Sequence, residues 1–468
     1  MTDSPIDEGI TAEDLGHVLF MGVGGVGMSG LARLYATRGL PVSGSELHDW
    51  PSLTELAALG VRIHREHRPE NLDGVDTVVK STAHSDDHVE LVEARRRGVR
   101  VYHRSEALAA AMTGKSSVVV AGTHGKTTTT AMVTRLLAEC GMDPSFVNGG
   151  ESIGGHSGGH GTGDLFVIEA DESDKSFLRY RPNIAILTNI DADHLNNYGS
   201  IDGLTDGFAE FLRCTAADGA IIVCADDPRA AAVGADLAAE GRNVVTYGTA
   251  EDADLRVTDL VSDDDGVSYR LRYHGRDLGE FRLNIVGAHL GLNSAAAVAV
   301  GLQLGLEADD IRKGLSGFSG VRRRFELTGT VAGVRVYDEY AYHPTAMSAA
   351  LSTFKQLAGE GRLTVVFQPY RVYRTRDLRA EIAAALAIAD QVVVMEIFGP
   401  GETIEPDEGG AALLEAVGVP DDRKWFEPEW DRVPALVKAH TRFGDVVVTM
   451  GAPPISMMSA DIRAALAD

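Results

Sequence analysis

The segment 118–131, VVVAGTHGKTTTTA, joins a β-branched run to a glycine turn, a lysine and four threonines. The backbone N–H groups of such a turn can surround phosphate oxygens, and the N-terminus of the following helix adds favourable dipole charge. Lys126 is placed to reach the β- and γ-phosphates, and the hydroxyl of Thr127 can ligate Mg²⁺. The common spacing of such loops would put a glycine at position 120, where this chain has valine; the first glycine of this loop is Gly122. The pattern predicts a phosphate-binding loop for ATP or GTP, against the alternative of a glycine turn with a capping threonine.

Two acidic motifs follow the loop, and each comes directly after a predicted strand. EADESD begins at Glu169, and TNIDADHLNNYG contains Asp191, Asp193 and His194. Carboxylates at strand ends beside a phosphate loop are where Mg²⁺ ligands belong, and a histidine with a carboxylate can hold a second divalent ion. A solvated acidic turn explains one such motif, but two in succession favour metal binding.

A second glycine-rich turn lies near the N-terminus, in HVLFMGVGGVGMSGLARL. Its glycines are Gly22, Gly24, Gly25 and Gly27. A strand, a glycine turn and a helix, followed about 20 positions later by an acidic residue such as Glu46, resemble a dinucleotide-binding βαβ unit. Taken alone, this turn leaves the nucleotide open and keeps a nicotinamide oxidoreductase among the alternatives.

Strand-like and helical patterns alternate through the whole chain, which predicts α/β domains with mostly parallel sheets. We predict three domains, with boundaries at 1–113, 114–320 and 321–468. The first and third read as Rossmann-like folds, and the second as a P-loop domain that contains the phosphate-binding loop. Within the second, the alternation of polar and apolar residues over 252–284 predicts antiparallel strands.

The composition of the 468 residues excludes several classes of protein. A net charge of −25 argues against nonspecific nucleic-acid binding and against docking on an anionic membrane. No apolar run approaches the roughly 18 residues that span a bilayer, and the polar stretch 1–16 lacks the features of a secretory signal. We therefore expect a cytoplasmic protein without a nucleic-acid or membrane partner. Phosphate sites should appear as local basic clusters, and the chain has three: Gly125–Lys126, Arg322–Arg324, and the group Arg371, Arg374 and Arg376.

Six motifs occur in a fixed order: GVGGVGMSG, GTHGKTTTT, EADESD, TNIDADH, GVRRRFE and DEYAYHPT. In this order, from His17 to Met450, the chain resembles the Mur ligases. The resemblance implies a UDP-sugar domain, a central ATPase and an amino-acid domain. It also implies an ATP-dependent ligase that joins L-alanine to UDP-N-acetylmuramic acid through an acyl phosphate, giving ADP and phosphate in peptidoglycan precursor synthesis. The implied cofactors are ATP and two Mg²⁺ ions, with Mn²⁺ as a possible substitute.

The same resemblance assigns roles to residues at matching motif positions. The ATP site would consist of Gly122, Thr123, His124, Gly125, Lys126, Thr127, Thr128, His289, Asn293 and Arg324. The metal ligands would be Thr127, Glu169 and His194. The catalytic residues would be Lys126, His194, Asp338, His343, Arg371 and Arg374.

Substrate residues are assigned in the same way. The UDP-sugar would bind to Gly22, Gly24, Gly25, Gly27, Met28, Ser29, Ser45 and Ser81. The amino-acid pocket would contain Tyr340, Tyr342 and Tyr370.

Two of these positions depart from the family pattern. The family usually has DDYGHHP and FQPHR, whereas this chain has Tyr342 and Tyr370 at one histidine position of each motif. Tyrosine is larger and does not titrate near neutral pH, so pocket volume and charge both change. This keeps open a paralogue that joins another amino acid, or another carboxylate substrate, in specialised metabolism. A nucleotide-binding regulator without turnover is a further alternative, and the protein could be a monomer or a homodimer.

Overall fold

The computed structural model describes residues 9–263, 265–405 and 407–468. Three β-sheets organise these residues, and their contacts divide them into two compact units. The first unit contains the first two sheets, and the second contains the third sheet from residue 320 onward. Residues 1–8, which belong to the stretch predicted to lack a secretory signal, lie outside the described residues.

The first sheet has five strands: β1 (Val18–Met21), β2 (Val42–Ser45), β3 (Arg62–His64), β4 (Thr77–Lys80) and β5 (Arg100–His103). Four helices accompany them: α1 (Val26–Thr37), α2 (Pro51–Ala58), α3 (Val89–Arg97) and α4 (Arg104–Met112). The strand order is β3-β2-β1-β4-β5, and every neighbouring pair is parallel. The order reverses between β1 and β4, so the glycine turn after β1 lies at the switch point where α/β sheets bind ligands.

The second sheet has ten strands: β6 (Ser116–Ala121), β7 (Ser145–Val147), β8 (Gly158–Gly159), β9 (Leu165–Glu169), β10 (Ile184–Leu187), β11 (Ala220–Cys224), β12 (Val244–Gly248), β13 (Leu255–Asp263), β14 (Gly266–Tyr273) and β15 (Arg276–Leu283). Six helices belong to this part of the chain: α5 (Lys126–Glu139), α6 (Leu195–Tyr198), α7 (Ile201–Arg213), α8 (Pro228–Ala239), α9 (Ala288–Gln303) and α10 (Ala308–Ser316). The order is β15-β14-β13-β12-β11-β10-β6-β9-β7-β8. The buried strand β6 lies between β9 and β10, parallel to both, and so the segments after these three strands meet at one edge.

The third sheet has six strands: β16 (Glu326–Val331), β17 (Val334–Glu339), β18 (Leu363–Gln368), β19 (Gln391–Val394), β20 (Lys424–Phe426) and β21 (Val446–Gly451). Its helices are α11 (Pro344–Ala358), α12 (Val372–Asp377), α13 (Arg379–Leu386), α14 (Gly410–Ala416), α15 (Val433–His440) and α16 (Met458–Ala467). The order is β16-β17-β21-β18-β19-β20, and only the β16–β17 pair is antiparallel among the pairings described.

Local sequence explains where several helices begin. The Oγ of Ser200 accepts the N–H of Gly203 at 3.1 Å at the start of α7. A carboxylate oxygen of Asp227 accepts the N–H of Ala230 at 2.8 Å at the start of α8, where a proline takes the first helical position. Such side-chain caps satisfy N–H groups that have no partner within the helix. Within the described residues, no helix combines the length and apolar character that crossing a membrane would require.

Candidate active site

The predicted phosphate loop is a tight connection between β6 and α5. Gly122 has φ of +130° and Gly125 has φ of +81°, conformations that side chains with a Cβ rarely adopt. A Cβ on Gly122 would lie 2.1 Å from the Oγ1 of Thr188, and one on Gly125 would lie 2.8 Å from the Oδ1 of Asn293. Both glycines are therefore required by backbone conformation and by close approach of a neighbour.

The segment after β10 holds the loop in place. The N–H of His124 donates to the Oδ1 of Asn189 at 2.9 Å, and the N–H of Thr123 donates to the carbonyl oxygen of Asn189 at 3.0 Å. The His124 Nε2 lies 2.8 Å from a carboxylate oxygen of Asp191. These bonds place the TNIDADH motif directly beside the glycine turn.

Lys126 begins α5 and points back across the loop. Its Nζ donates to the carbonyl oxygens of Gly122 at 2.5 Å and Thr123 at 3.2 Å, and to the carboxylate of Glu172 at 2.9 Å. Burial works to lower the pKa of Lys126, but Glu172 and Glu169 outweigh it and the pKa is raised. Lys126 is therefore a protonated cation inside the loop, which is the charge that phosphate oxygens need.

Glu172 is the buried partner of that lysine, and the sequence analysis did not single it out. Burial raises the pKa of its carboxyl group to about 7, although Lys126 opposes the shift. Its Oε2 has no hydrogen-bond partner among the described residues. The carboxyl group of Glu172 can therefore gain or lose a proton near neutral pH, while Lys126 stays charged.

Two residues predicted as metal ligands, Thr127 and Glu169, contact each other. The Oγ1 of Thr127 donates to the carboxylate of Glu169 at 3.2 Å, and the other carboxylate oxygen accepts the N–H of Gly149 at 2.8 Å. Asn148 Nδ2 donates to the carbonyl oxygen of Thr127 at 3.1 Å and fixes the start of the helix. Hydroxyl and carboxylate oxygens are the ligands that Mg²⁺ prefers, so these two side chains fit that ion.

The other residues of this unit that are predicted to bind ATP or metal lie in α5, in α9 and just before α6. Thr128 is buried in the first turn of α5. His194 precedes α6 with φ of +54°, and its Nε2 lies 3.7 Å from a carboxylate oxygen of Asp193. Burial lowers the pKa of His289 to about 4, so its imidazole is neutral. Asn293 follows one helical turn later, beside Gly125.

The N-terminal glycine turn is closed by side chains. A carboxylate oxygen of Glu46 accepts the N–H of Gly24 at 3.2 Å, and the other accepts the N–H of His48 at 3.0 Å. A Cβ on Gly24 would lie 2.1 Å from the ring of Trp50. Glu46 therefore supports the turn itself, where the dinucleotide pattern predicts a contact with a ribose.

The remaining predicted UDP-sugar residues surround the same end of the first sheet. Gly25 precedes α1, which contains Gly27, Met28 and Ser29. Ser45 ends β2, where its carbonyl oxygen accepts the N–H of Gly22 at 2.8 Å. The Oγ of Ser81, just after β4, lies 3.4 Å from the Nδ1 of His84. The structure thus brings these residues to one edge, as parallel strands require.

Helix α4 is tied to the segment that follows Glu169. Arg104 forms an ion pair with Asp171, and Arg179 donates to the carboxylate of Glu106 at 2.9 Å. The sequence analysis did not identify these pairs, because their members lie 67 and 73 positions apart. They connect the first sheet to the EADESD motif within one compact unit.

The second unit presents a separate group of charged residues at the end of β17. Asp338 accepts from the Nε of Arg323 at 3.0 Å and from the Oγ1 of Thr449 at 2.9 Å. Glu339 accepts backbone N–H groups of Phe325 and Ala341 at 2.9 and 3.0 Å. Burial raises the pKa of Glu339. This buried side chain holds the backbone at Phe325 and Ala341 and is not exposed to solvent.

The residues predicted for the amino-acid pocket belong to an aromatic row that consists of Tyr340, Tyr342, Tyr370 and Phe398. Ring centroids are 5.7 Å apart for Tyr340 and Tyr342, 5.7 Å for Tyr342 and Tyr370, and 6.4 Å for Tyr370 and Phe398. Guanidinium groups lie over these rings within cation–π distance. The pairs are Arg324 over Tyr340 at 4.8 Å, Arg374 over Tyr342 at 4.7 Å and Arg371 over Tyr370 at 5.2 Å.

Residues predicted for three roles lie in or beside this aromatic row. Tyr340, Tyr342 and Tyr370 are predicted for the amino-acid pocket, Arg371 and Arg374 for catalysis, and Arg324 for ATP binding. His343 is buried at the residue before α11, next to the row in sequence. Arg323 and Phe398 were missed by the sequence analysis. The run Arg322–Arg324 signalled a basic cluster, but only the structure shows that Arg323 is the member that pairs with Asp338.

Family models match nearly the whole chain. The Mur ligase family, catalytic domain, matches residues 17–116; the Mur ligase middle domain matches 120–301; and the Mur ligase, glutamate ligase domain, matches 323–453. The chain belongs to the Mur ligase family, and its α/β class with three domains is confirmed. The predicted boundaries at 113/114 and 320/321 stay a prediction, as do the roles of individual site residues.

Similar proteins narrow the class. The chain is 60% identical to the UDP-N-acetylmuramate–L-alanine ligase of Salinispora arenicola, over 98% of this chain and 90% of that protein. It is 47% identical to the enzyme of the same name from Acidothermus cellulolyticus, over 95% of this chain and 94% of the relative. The crystal structure of UDP-N-acetylmuramate-alanine ligase MurC from Thermotoga maritima has a TM-score of 0.82 at 27% identity, over 95% and 98% of the two chains.

Proposed function

We propose that this protein joins L-alanine to UDP-N-acetylmuramic acid at the expense of ATP, in the synthesis of peptidoglycan precursors. The observation that carries the proposal is the group formed by Lys126, Thr127 and Glu169 at the start of α5, in a chain 60% identical to a ligase of that name. This group supplies one cation and two oxygen ligands at a single helix N-terminus. A phosphoryl transfer from ATP requires those components.

The reaction begins at the carboxylate of the sugar substrate, which is a poor electrophile. Transfer of the γ-phosphoryl group of ATP forms an acyl phosphate, with ADP as the leaving group. The amine of the amino acid then attacks the acyl carbon, and phosphate departs from the tetrahedral intermediate. Phosphorylation thus converts an oxygen that cannot leave into one that can.

The residues of the phosphate loop neutralise the negative charge of the phosphate groups in this reaction. Lys126 neutralises negative charge on the transferred phosphoryl group, and the glycine turn offers backbone N–H groups. Thr127 and Glu169 would hold Mg²⁺, and that ion would supply neutralisation of the phosphate charge. We assign His194 to a second divalent ion and expect Mn²⁺ to replace Mg²⁺. Glu172 competes with phosphate for the ammonium group of Lys126, so it sets how readily the lysine is released.

The aromatic row in the second unit supports a role in amino-acid recognition. Arg371 and Arg374 are suited to a carboxylate, because a guanidinium group can donate two parallel hydrogen bonds to one. Tyr340, Tyr342 and Tyr370 limit the volume beside those cations, which favours a small side chain such as that of alanine. The N-terminal glycine turn with Ser45 and Ser81 is assigned to the UDP-sugar.

The test is phosphate release from ATP by the purified protein with Mg²⁺, UDP-N-acetylmuramic acid and a panel of amino acids, with products weighed by mass spectrometry. We expect release with L-alanine and a product of the corresponding amide mass. Lys126→Ala is the matched control, since it keeps the chain length and removes the loop cation. Release only with another amino acid would replace the proposal with the paralogue, and no release with any acceptor would refute a ligase. We propose a cytoplasmic enzyme that is a monomer or a homodimer, which sedimentation would decide.

A further inference from the structure

Three side chains with metal-binding atoms converge at the C-terminal edge of the first sheet. One ligand atom from each of His67, His88 and Glu90 lies within 4.8 Å of the other two. The Nδ1 of His67 is 3.1 Å from the Oε2 of Glu90, and the rings of His67 and His88 are 4.5 Å apart. A third imidazole, that of His84, lies 5.5 Å from the ring of His88. None of these residues has a role in the reaction described above.

The protonation of His88 suits a metal ligand. Its Nδ1 accepts the backbone N–H of Glu90 at 3.3 Å and lies 3.9 Å from the Oε2 of the same residue. This nitrogen is therefore the unprotonated one, and a bound cation would take its lone pair in place of that N–H. Imidazole nitrogens beside a carboxylate form a nitrogen-rich set that suits Zn²⁺ and other borderline dications, whereas Mg²⁺ and Ca²⁺ prefer oxygen alone.

The carboxylate is completely buried and oriented by other side chains. The Oγ of Ser45 donates to its Oε2 at 2.8 Å, and the Nδ2 of Asn71 donates to its Oε1 at 2.7 Å. Bonds of this kind fix ligating carboxylates in metal sites and tune their basicity. His67 lies in the loop after β3, and His88 caps α3, which contains Glu90. The donor set is therefore preorganised.

We propose that His67, His88 and Glu90 form a binding site for a borderline transition-metal dication, for which Zn²⁺ is the expected ion. The fourth position is left to water or to His84. The site is chemically different from the oxygen site of Thr127 and Glu169. The alternative is a buried hydrogen-bond network in which Glu90 only fixes the two rings.

The experiment measures Zn²⁺ bound to the full-length protein by equilibrium dialysis, without nucleotide and with excess Mg²⁺ to occupy oxygen sites. His88→Asn is the informative variant, because asparagine still caps α3 while the imidazole is lost. His274→Asn is the matched control: His274 is exposed, and its φ of +46° is one that asparagine tolerates. We expect wild type and His274→Asn to bind one Zn²⁺ more than His88→Asn, or to bind it at least about tenfold more tightly.

Co²⁺ and a second variant separate the loss of a metal ligand from the loss of the fold. Wild type should give the intense visible absorption of four-coordinate Co²⁺ with nitrogen ligands, and His88→Asn should not. His67→Gln retains a donor to Glu90 and should also lose the ion, which covers a failure of His88→Asn to fold. Equal Zn²⁺ binding by wild type and both folded variants, or Zn²⁺ that Mg²⁺ displaces completely, would mean an adventitious ion only and would overturn the proposal.

Discussion

Replacing Gly122 with alanine tests whether the loop after β6 must have the conformation that the structure shows. At φ of +130° an added Cβ is strained, at a cost of about 1–3 kcal/mol. The same Cβ would lie 2.1 Å from the Thr188 Oγ1 and 3.0 Å from its backbone nitrogen. Relieving this contact moves the loop by about 1 Å and adds about 1–3 kcal/mol of overpacking. We expect a total destabilisation on the order of 2–6 kcal/mol.

The displaced loop should also impair catalysis. A misplacement of about 1 Å at a reacting group lowers turnover by roughly 100-fold. The assay is ADP formation against ATP concentration, combined with urea unfolding followed by circular dichroism. Gly141→Ala is the control, because Gly141 follows α5 with φ of +77° and has no atom within 4 Å of the added Cβ. Gly141→Ala should lower the free energy of unfolding by only about 1–2 kcal/mol and leave ADP formation unchanged. The reasoning is refuted if Gly122→Ala and Gly141→Ala are indistinguishable in both assays.

Three further variants address charge and the amino-acid pocket. Lys126→Ala should lower ADP formation by at least about 10²–10³-fold while leaving the circular dichroism spectrum unchanged, and full activity would contradict the assigned role. Burial raises the pKa of Glu172 to about 7 in the folded protein, from 4.5 in the unfolded chain. Protonation of Glu172 therefore stabilises the folded protein fully below pH 4.5, and this contribution is lost as the pH rises through 7. Between pH 4.5 and 8, the free energy of unfolding of the wild type should therefore fall by about 3 kcal/mol relative to that of Glu172→Gln, measured by urea unfolding. A difference in free energy of unfolding that stays constant over this pH range would disprove the expectation. Tyr342→His with Tyr370→His should raise the KM for L-alanine by about 5- to 150-fold without changing the KM for ATP, because two ring contacts at about 0.5–1.5 kcal/mol each sum to about 1–3 kcal/mol. Equal changes in both constants would argue against a pocket there.

The phosphate loop could be predicted closely because its signals are local. The sequence predicts a strand that ends at Ala121 and a helix that starts near Lys126, and the structure has both. A β-branched run, glycines and a lysine all act within a few residues of one another. The antiparallel pattern at 252–284 was similarly visible and appears as β13, β14 and β15.

Short edge strands could not be predicted from local patterns. The strands β3, β16 and β20 were missed, and each contains exposed or half-buried residues instead of a continuous apolar run. The conformation of β3 and β20 depends on pairing with strands that lie beyond an intervening helix, whereas β16 forms a hairpin with the adjacent β17. The pairing of β10 with β6 ends at Leu187, and the carbonyl oxygen of Asn189 then accepts the N–H of Thr123 in the phosphate loop.

Site residues that act through distant partners were also missed. Glu172 pairs with a lysine 46 positions away, and nothing in EADESD distinguishes it from the other acids. Three consecutive arginines gave no sign that Arg323 would pair with Asp338. Residue type and spacing predict which groups can do chemistry, whereas tertiary packing decides which group faces which.

The bonds between α4 and the segment after Glu169 bear on how this molecule could be divided. Arg104 with Asp171, and Glu106 with Arg179, join residues on opposite sides of the predicted boundary at 113/114. A fragment that begins at residue 114 would leave Asp171 and Arg179 without those partners, next to the carboxylate assigned to Mg²⁺. Chimeras that exchange the sugar-binding part between relatives should therefore keep α4 with the central sheet. Although α4 belongs to the N-terminal part of the chain, its ion pairs stabilise the segment that follows Glu169 in the central sheet.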